Sequence, residues 1–275
     1  MDKVKTTQEI DNILNSLLTV NLIRHTCQFF EKGNKGLKPY GSGVFVVIYD
    51  VHFIFTASHV ADAFKDEKKD LFIRVSKKDF INVLGEIKYT DLEKSVGVDL
   101  AYIKLDNQMI EPLKKAYTFL TVDKIRRHNK MLDAMNYCVV GFPENNIRRD
   151  KGFLETGASA YFTIPMNNKP YEYYKYDPND WFIVEMKGKG SDIKTGKKVE
   201  VNTHFNGISG CGLWLILLEY DQKLNNYTYD YRLIGIMTEF KKGKYFCLIG
   251  NKIQLMFNAL EYIENMKFNE IKTNE

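Results

Sequence analysis

Apolar and polar positions change their period four times along this chain. Near the start, Ile10, Ile13, Leu14, Leu17 and Leu18 recur at helical spacing behind Thr6 and Thr7, which predicts a short capped amphipathic helix over 6–19. From Val20 the pattern changes. Val20–Glu31 is apolar but mixed, and β-rich runs follow at Gly43–Tyr49 and His52–Thr56, a hairpin around Asp50-Val51. Further strands are predicted at Leu71–Val75, Asn82–Tyr89 and Leu100–Leu105. Residues 106–135 lose the alternation. They carry Glu111-Pro112 and several lysines and arginines, and read as a connector, with a strand or helical turn open over Pro112–Val122. Strands resume at Tyr137–Gly141, Ala158–Ile164, Trp181–Met186, Lys198–Thr203, Leu213–Glu219, Leu233–Glu239 and Lys244–Leu248. Over Asn251–Met266 the period returns to 3.6, through Ile253, Met256, Phe257, Leu260, Ile263 and Met266. Many short strands with no strong helix between them predict an all-β chain built as an antiparallel barrel or sandwich.

Composition narrows the function classes. With 275 residues, 44% apolar and 27% charged, the chain has the make-up of a soluble globular protein with a sizeable core. A net charge of +4, from 39 basic against 35 acidic residues, is too even to indicate nucleic acid. No run approaches transmembrane length, and Met1–Ile10 is polar with no apolar signal segment behind it. The expectation is a cytoplasmic protein whose cysteines, Cys27, Cys138, Cys211 and Cys247, are free thiols. No C-x-x-C pair occurs, so a zinc or thioredoxin reading has no support, and no pair of His, Cys, Asp or Glu has ligand spacing near the candidate residues below; no metal and no cofactor are expected. Two charged stretches, Lys187–Lys198 and Glu144–Lys151 with Arg148 and Arg149, read as solvated loops, with partner binding or proteolytic sensitivity as the alternative for the lysine-rich one.

Candidate chemistry centres on Asn206-Gly207-Ile208-Ser209-Gly210-Cys211-Gly212, where glycines flank a serine just before an apolar run. A serine hydroxyl becomes a nucleophile when a base takes its proton and backbone N–H groups receive the oxyanion. Of the five histidines, His59 has the most suggestive setting: it follows the apolar strand Phe53-Ile54-Phe55 and the small residues Thr56-Ala57-Ser58, which places it at a barrel rim. Asp99 precedes the apolar run Leu100–Leu105, an unusual place for an acid unless it orients an imidazole; Asp91 competes for that role from a polar loop.

These stretches together resemble the trypsin-like serine proteases of the chymotrypsin fold (PA clan), in particular the bacterial intracellular ones. Thr56-Ala57-Ser58-His59 resembles their T-A-A-H motif, Asp99-Leu100-Ala101 their D-[IL]-A, Gly207-Ile208-Ser209-Gly210 their G-x-S-G, and Gly41-Ser42-Gly43 their G-S-G-F. The His, Asp, Ser order is also that family's. The resemblance implies two antiparallel six-stranded β-barrels with a short N-terminal and a longer C-terminal helix. The barrels would span 20–115, carrying His59 and Asp99, and 136–250, carrying Ser209. Residues 1–19 would be a helical extension, 116–135 the connector, and 251–275 the closing helix and tail. His59 would be the general base, Asp99 its orienting acid and Ser209 the nucleophile, with an oxyanion hole from the N–H groups of Gly207 and Ser209. Thr203 would lie at the pocket floor, followed by His204, which would favour a polar or acidic side chain, and Thr238, Glu239 and Phe240 would pair with substrate backbone.

Two departures bear on function. Ile208 stands where zymogen-activated relatives carry an aspartate that pairs with a freshly cut N-terminus, so activation by trimming is not expected. Cys211 stands where they carry a glycine; it reads as a small buried hydrophobe, with oxidation sensitivity as the alternative. No acid stands at position 203, so a trypsin-like preference for Lys or Arg in the pocket is not expected. Three readings stay open: an active serine endopeptidase on protein or peptide substrates, a latent one awaiting a protein activator or regulator, and a catalytically silent binding module. Neither nucleic acid nor a membrane is expected as partner.

Overall fold

The computed structural model describes residues 13–34, 36–62, 64, 70–90, 97–131, 136–146, 148–150, 153–187, 189–191, 198–200, 205–223 and 226–268. Two curled sheets account for most of them. The first contains β1 (Thr26–Gly33), β2 (Gly36–Ile48), β3 (Val51–Thr56), β4 (Leu71–Arg74), β5 (Phe80–Asn82), β6 (Gly85–Tyr89) and β7 (Ala101–Leu105), ordered β5-β4-β1-β2-β3-β7-β6. All neighbours on that path are antiparallel, and β8 (Leu120–Thr121) adds to β2 in parallel. The second begins with β9 (Tyr137–Gly141). A hairpin of β10 (Arg148–Asp150) and β11 (Phe153–Glu155) follows, then β12 (Ser159–Thr163) and β13 (Trp181–Glu185). A further hairpin, β14 (Lys189–Ser191) with β15 (Lys198–Glu200), precedes β16 (Gly212–Asp221), β17 (Asn226–Lys241) and β18 (Cys247–Lys252). Its order is β12-β9-β16-β17-β18-β13.

Each sheet turns back on itself. The run expected as the single strand Asn82–Tyr89 is two strands: β5 pairs with β4 at one end of the first sheet, and β6 with β7 at the other. The break falls at Gly85, where a Cβ would lie 2.3 Å from the Lys104 carbonyl oxygen, so only glycine lets the backbones come this close. That bend is why the first sheet has seven strands on its antiparallel path rather than six. In the second sheet, Glu185 N–H donates to the Ile164 carbonyl at 2.9 Å and Met166 N–H to the Ile183 carbonyl at 2.9 Å, tying the end beyond β12 to β13.

Alternation of side chains divides the core into layers. On β2, Phe45 points into the first sheet's interior with Cys27, Phe29 and Ile54, whereas Val44 and Val46 face the layer between the sheets. On β16, Leu213 and Leu215 fill the second interior, and Trp214 and Ile216 meet the same middle layer. Both strands therefore read as continuous apolar runs, because both faces are covered. The helix Ile253–Ile263 closes the middle layer with Ile253, Met256, Phe257 and Leu260.

Several boundaries differ from the sequence expectations. Asn251 and Lys252, assigned to the last helix by periodicity, belong to β18 and pair with Trp181 and Gly235. The segment 106–135 opens with the helix Asn107–Lys114, whose Met109, Ile110 and Leu113 cap the first core although Pro112 lies within it. The helix Asn168–Tyr174 was not foreseen; Asn167 caps it by accepting from the Lys169 N–H at 3.1 Å, and Lys175 ends it at φ 61°. Of the expected N-terminal helix, Thr6, Thr7 and Ile10 lie outside the described residues, and Leu17 and Leu18 are buried in the middle layer. Positions 192–197 of the lysine-rich stretch and Asp91 also lie outside them.

Candidate active site

His59 is presented by a short helix, Ser58–Asp62, that begins two residues after β3. Val60 is buried in the first core, Ala61 is buried beside it, and Ser58 donates to the Thr90 carbonyl at 2.7 Å, which anchors the helix on both sides of His59. The imidazole is left outward, with its side chain 43% exposed. Asp99 lies just before β7 and is nearly buried. A buried carboxylate needs donors, and both oxygens have one. Oδ1 accepts the His59 backbone N–H at 3.0 Å, and Oδ2 lies 2.6 Å from His59 Nδ1. The second sheet reaches across as well, because Asn251 Oδ1 accepts the Asp99 N–H at 3.0 Å.

This pairing fixes the tautomer. An ionised carboxylate only accepts, so Nδ1 carries the proton and the neutral ring leaves Nε2 as an acceptor. Burial pulls the His59 pKa down; the hydrogen bond and charge of Asp99, with the charge of Glu239 adding, outweigh it and leave it above its ordinary value.

Ser209 sits on a turn that the first sheet holds from outside. Ser42 of β2 donates its N–H to the Ser209 carbonyl at 2.8 Å and its hydroxyl to the Gly207 carbonyl at 2.7 Å. Gly210, at φ 89°, has Ser42 O 2.1 Å and Thr56 Oγ1 2.2 Å from where a Cβ would be, so no side chain fits. Gly41 separates the two functional segments: a Cβ there would lie 2.7 Å from Val60 Cγ1, next to His59, and 3.4 Å from the Ser209 carbonyl oxygen. The Ser209 hydroxyl donates to the Thr238 carbonyl at 3.1 Å, and among the described residues it has no hydrogen bond to the imidazole.

The orientation of the Gly207 peptide follows from its neighbour. The Asn206 carbonyl accepts the Glu144 N–H at 2.8 Å. In a trans peptide the N–H points opposite to the C=O, so the Gly207 N–H faces away from Glu144. Gly207 has φ 86°, and a Cβ there would be 2.7 Å from the Phe142 carbonyl oxygen. Neither the Gly207 nor the Ser209 N–H has an acceptor among the described residues. Ile208 between them is buried in the second core, where Gly141 leaves room for it: a Cβ on Gly141 would be 2.8 Å from Ile208 Cγ1. Apolar burial thus anchors this turn at the position where an aspartate was noted as missing, an effect of about 1.5–3 kcal/mol for a side chain of this size. Cys211 is fully buried, and burial raises its thiol pKa well above the ordinary value.

The remaining expected site residues divide. Thr203 and His204 lie outside the described residues. Thr238 is buried and next to Ser209 through its carbonyl. Phe240 packs on Phe205 at 4.4 Å and Phe246 at 5.1 Å between ring centroids. Glu239 accepts from the Tyr176 hydroxyl at 2.6 Å and pairs with Lys241 at 2.5 Å. Three positioning residues went unrecognised in the sequence: Glu144, Tyr176 and Asn251 act through a backbone N–H or from other elements, and no local spacing marks them. His25 and His128 belong to the interior instead, bonded to Tyr231 and Tyr137 at 3.0 Å each. No group of three His, Cys, Asp or Glu placed to hold a metal occurs among the described residues.

In a search of solved structures, the chain is similar to a thermostable serine protease AL20 from an extremophilic microorganism, at 10% identity and TM-score 0.50, covering 89% of this chain and 98% of that one. The fold is chymotrypsin-like. Two further similar structures are a serine endoprotease from Yersinia pestis (14% identity, TM-score 0.49, covering 94% of this chain and 67% of that one) and a Glu endopeptidase in complex with MPD (12%, 0.49, covering 88% and 91%). At these identities the likeness is one of fold. No family model matches the sequence. No curated protein matches it either. The chymotrypsin-like arrangement puts His59 and Asp99 on one curled sheet and Ser209 on the other, with Ser42, Gly41 and Asn251 forming the contacts across the seam. No helix among the described residues is long and apolar enough to cross a membrane.

Proposed function

We propose that this chain is a serine endopeptidase that cleaves peptide bonds through an acyl-enzyme. The observation that carries the reading is the two-point grip of Asp99 on His59, which leaves Nε2 as the ring's acceptor, with Gly41 lying between the His59 helix and the Ser209 turn. In the first step, rotation about the Ser209 Cα–Cβ bond turns the hydroxyl from the Thr238 carbonyl to Nε2. The oxygen attacks the substrate carbonyl as Nε2 takes its proton. The oxyanion is received by the Gly207 and Ser209 N–H groups, and the imidazolium, held by Asp99, returns the proton to the leaving amine. Water then repeats the sequence on the ester and frees Ser209.

Substrate backbone adds along β17. Pairing of β17 with β16 ends at Ile236, and Met237 makes the last backbone bonds on that side, to Gly210 and Cys211. From Thr238 to Lys241 that edge has no strand partner among the described residues, while β18 covers the other. An exposed edge of this kind binds an extended peptide by main-chain hydrogen bonds. A silent binding module is favoured by one observation, the bond of the Ser209 hydroxyl to Thr238 in place of His59. Cleavage of a peptide library separates the two: the endopeptidase cuts and its Ser209→Ala variant does not. A native chain that binds peptides from the library and cuts none supports the module.

A further inference from the structure

We infer that Glu239 selects a basic side chain at the substrate residue immediately N-terminal to the one whose carbonyl is attacked; this rests on the endopeptidase reading above. The argument is one of register. The Thr238 carbonyl lies 3.1 Å from the Ser209 hydroxyl, so the attacked residue sits beside Thr238. In an antiparallel strand added to the open edge of β17, the preceding substrate residue then lies opposite Glu239. Residues directly opposite in an antiparallel pair project to the same face, with Cβ atoms roughly 4.5–5.5 Å apart.

That face is the one turned to the catalytic seam. Phe240 points into the second core against Phe205, so Glu239 and Lys241 point the other way, which their mutual ion pair confirms. On this face the Tyr176 hydroxyl donates to Glu239 at 2.6 Å, and the Tyr176 ring packs on Trp181 at 4.5 Å between centroids. Trp181 in turn approaches the loop leading to Asp99, its Cζ2 lying 3.4 Å from where a Cβ on Gly97 would be. The Glu239 side chain is 33% exposed and Lys241 34%. A carboxylate has about four lone-pair positions, and Tyr176 and Lys241 take only two. The arrangement therefore offers a partly desolvated carboxylate with capacity to spare, beside an aromatic ring. A lysine or arginine fits both: the stem or guanidinium lies on Tyr176 and the charged end reaches Glu239. An acidic side chain in that place meets the like charge of Glu239 and is rejected.

Lys241 competes for Glu239 within the free enzyme. Its removal frees that carboxylate oxygen and strengthens the preference at this one substrate position, whereas a general attraction of the cleft for cations would rise at neighbouring positions as well.

The test is positional profiling of cleavage with a peptide library at low and high salt, on the native chain and the Glu239→Gln, Glu239→Lys and Lys241→Ala variants. Expected for the native chain is about a tenfold preference for Arg or Lys over Ala at that position, weakened by salt. Glu239→Gln abolishes it, Glu239→Lys turns it to an acidic preference, and Lys241→Ala increases it. Cleavage with no basic preference there, or with a preference unmoved by Glu239→Gln, overturns the inference while leaving the endopeptidase intact. Absence of all cleavage by the native chain overturns the endopeptidase reading instead.

Discussion

Asp99→Asn changes one atom in the seam and has a result that the hydrogen bonds dictate. Both carboxylate oxygens of Asp99 act as acceptors, one for the His59 backbone N–H at 3.0 Å and one for Nδ1 at 2.6 Å. An amide has one oxygen, so only one contact survives unchanged. The backbone N–H is always a donor, whereas the imidazole can move its proton. The amide oxygen therefore keeps the backbone bond, and its NH2 donates to an unprotonated Nδ1. The proton goes to Nε2, which then has no lone pair for the serine. Shape and packing are retained while the base is lost. The loss expected for a wrong tautomer in a triad of this type is about 10⁴-fold in kcat, or roughly 5–6 kcal/mol of barrier. The assay is the rate of inactivation by a fluorophosphonate, with a library-derived peptide as the second substrate, and thermal unfolding as the check that the fold persists. A variant that reacts within about tenfold of the native rate contradicts the assigned role of Asp99.

Other perturbations have equally definite outcomes. Gly207→Ala forces a Cβ to 2.7 Å from the Phe142 carbonyl, which turns the Gly207 peptide and removes one oxyanion donor; a fall of about 10²–10³-fold in kcat with little change in KM is expected, and unchanged turnover contradicts the assignment. Ser42→Ala leaves the Gly207 carbonyl without its 2.7 Å donor in a buried place, a loss of about 1–3 kcal/mol in denaturant unfolding together with slower fluorophosphonate reaction; loss of stability without loss of reactivity would show that Ser42 supports the fold alone. Activity rises with pH as His59 becomes neutral, and its raised pKa puts the midpoint above the ordinary histidine value of about 6.5; a pH–rate profile flat down to about pH 5 refutes the base. The stability linkage has the opposite sign. The charged His59–Asp99 pair contributes fully below the unfolded histidine pKa, and that contribution is lost as pH rises through the folded one, so thermal melts of native chain and His59→Ala should converge across that window.

How much of this was legible in the sequence varies with the range of the interaction. Strands that are continuous apolar runs, such as Phe53-Ile54-Phe55 and Leu213–Ile216, are legible because each pattern is complete within a few residues. His59, Asp99 and Ser209 are each marked locally by small residues and glycines; Asp99 contacts His59, and Gly41 lies between the His59 helix and the Ser209 turn. The limits of β1 are not legible within the mixed apolar run Val20–Glu31, because Cys27, Phe29 and Phe30 are interrupted by Gln28 and Glu31, whose partners are the Phe142 carbonyl and Lys38. The helix Asn107–Lys114 was obscured by Pro112, and β18 by its direct run into the last helix, where both periods fit the same residues. Gly85 reads as an ordinary glycine until the Lys104 carbonyl is seen against it. Asn251 and Tyr176 act across the seam or across the second sheet, so no neighbour in sequence announces them.

The most direct test of the central claim is to treat the native chain with a fluorophosphonate and map the modified residue by mass spectrometry. The account predicts a single phosphonylated residue, Ser209, with the adduct absent from Ser209→Ala and strongly slowed in His59→Ala. No adduct at Ser209, or an adduct that forms equally fast without His59, would contradict it.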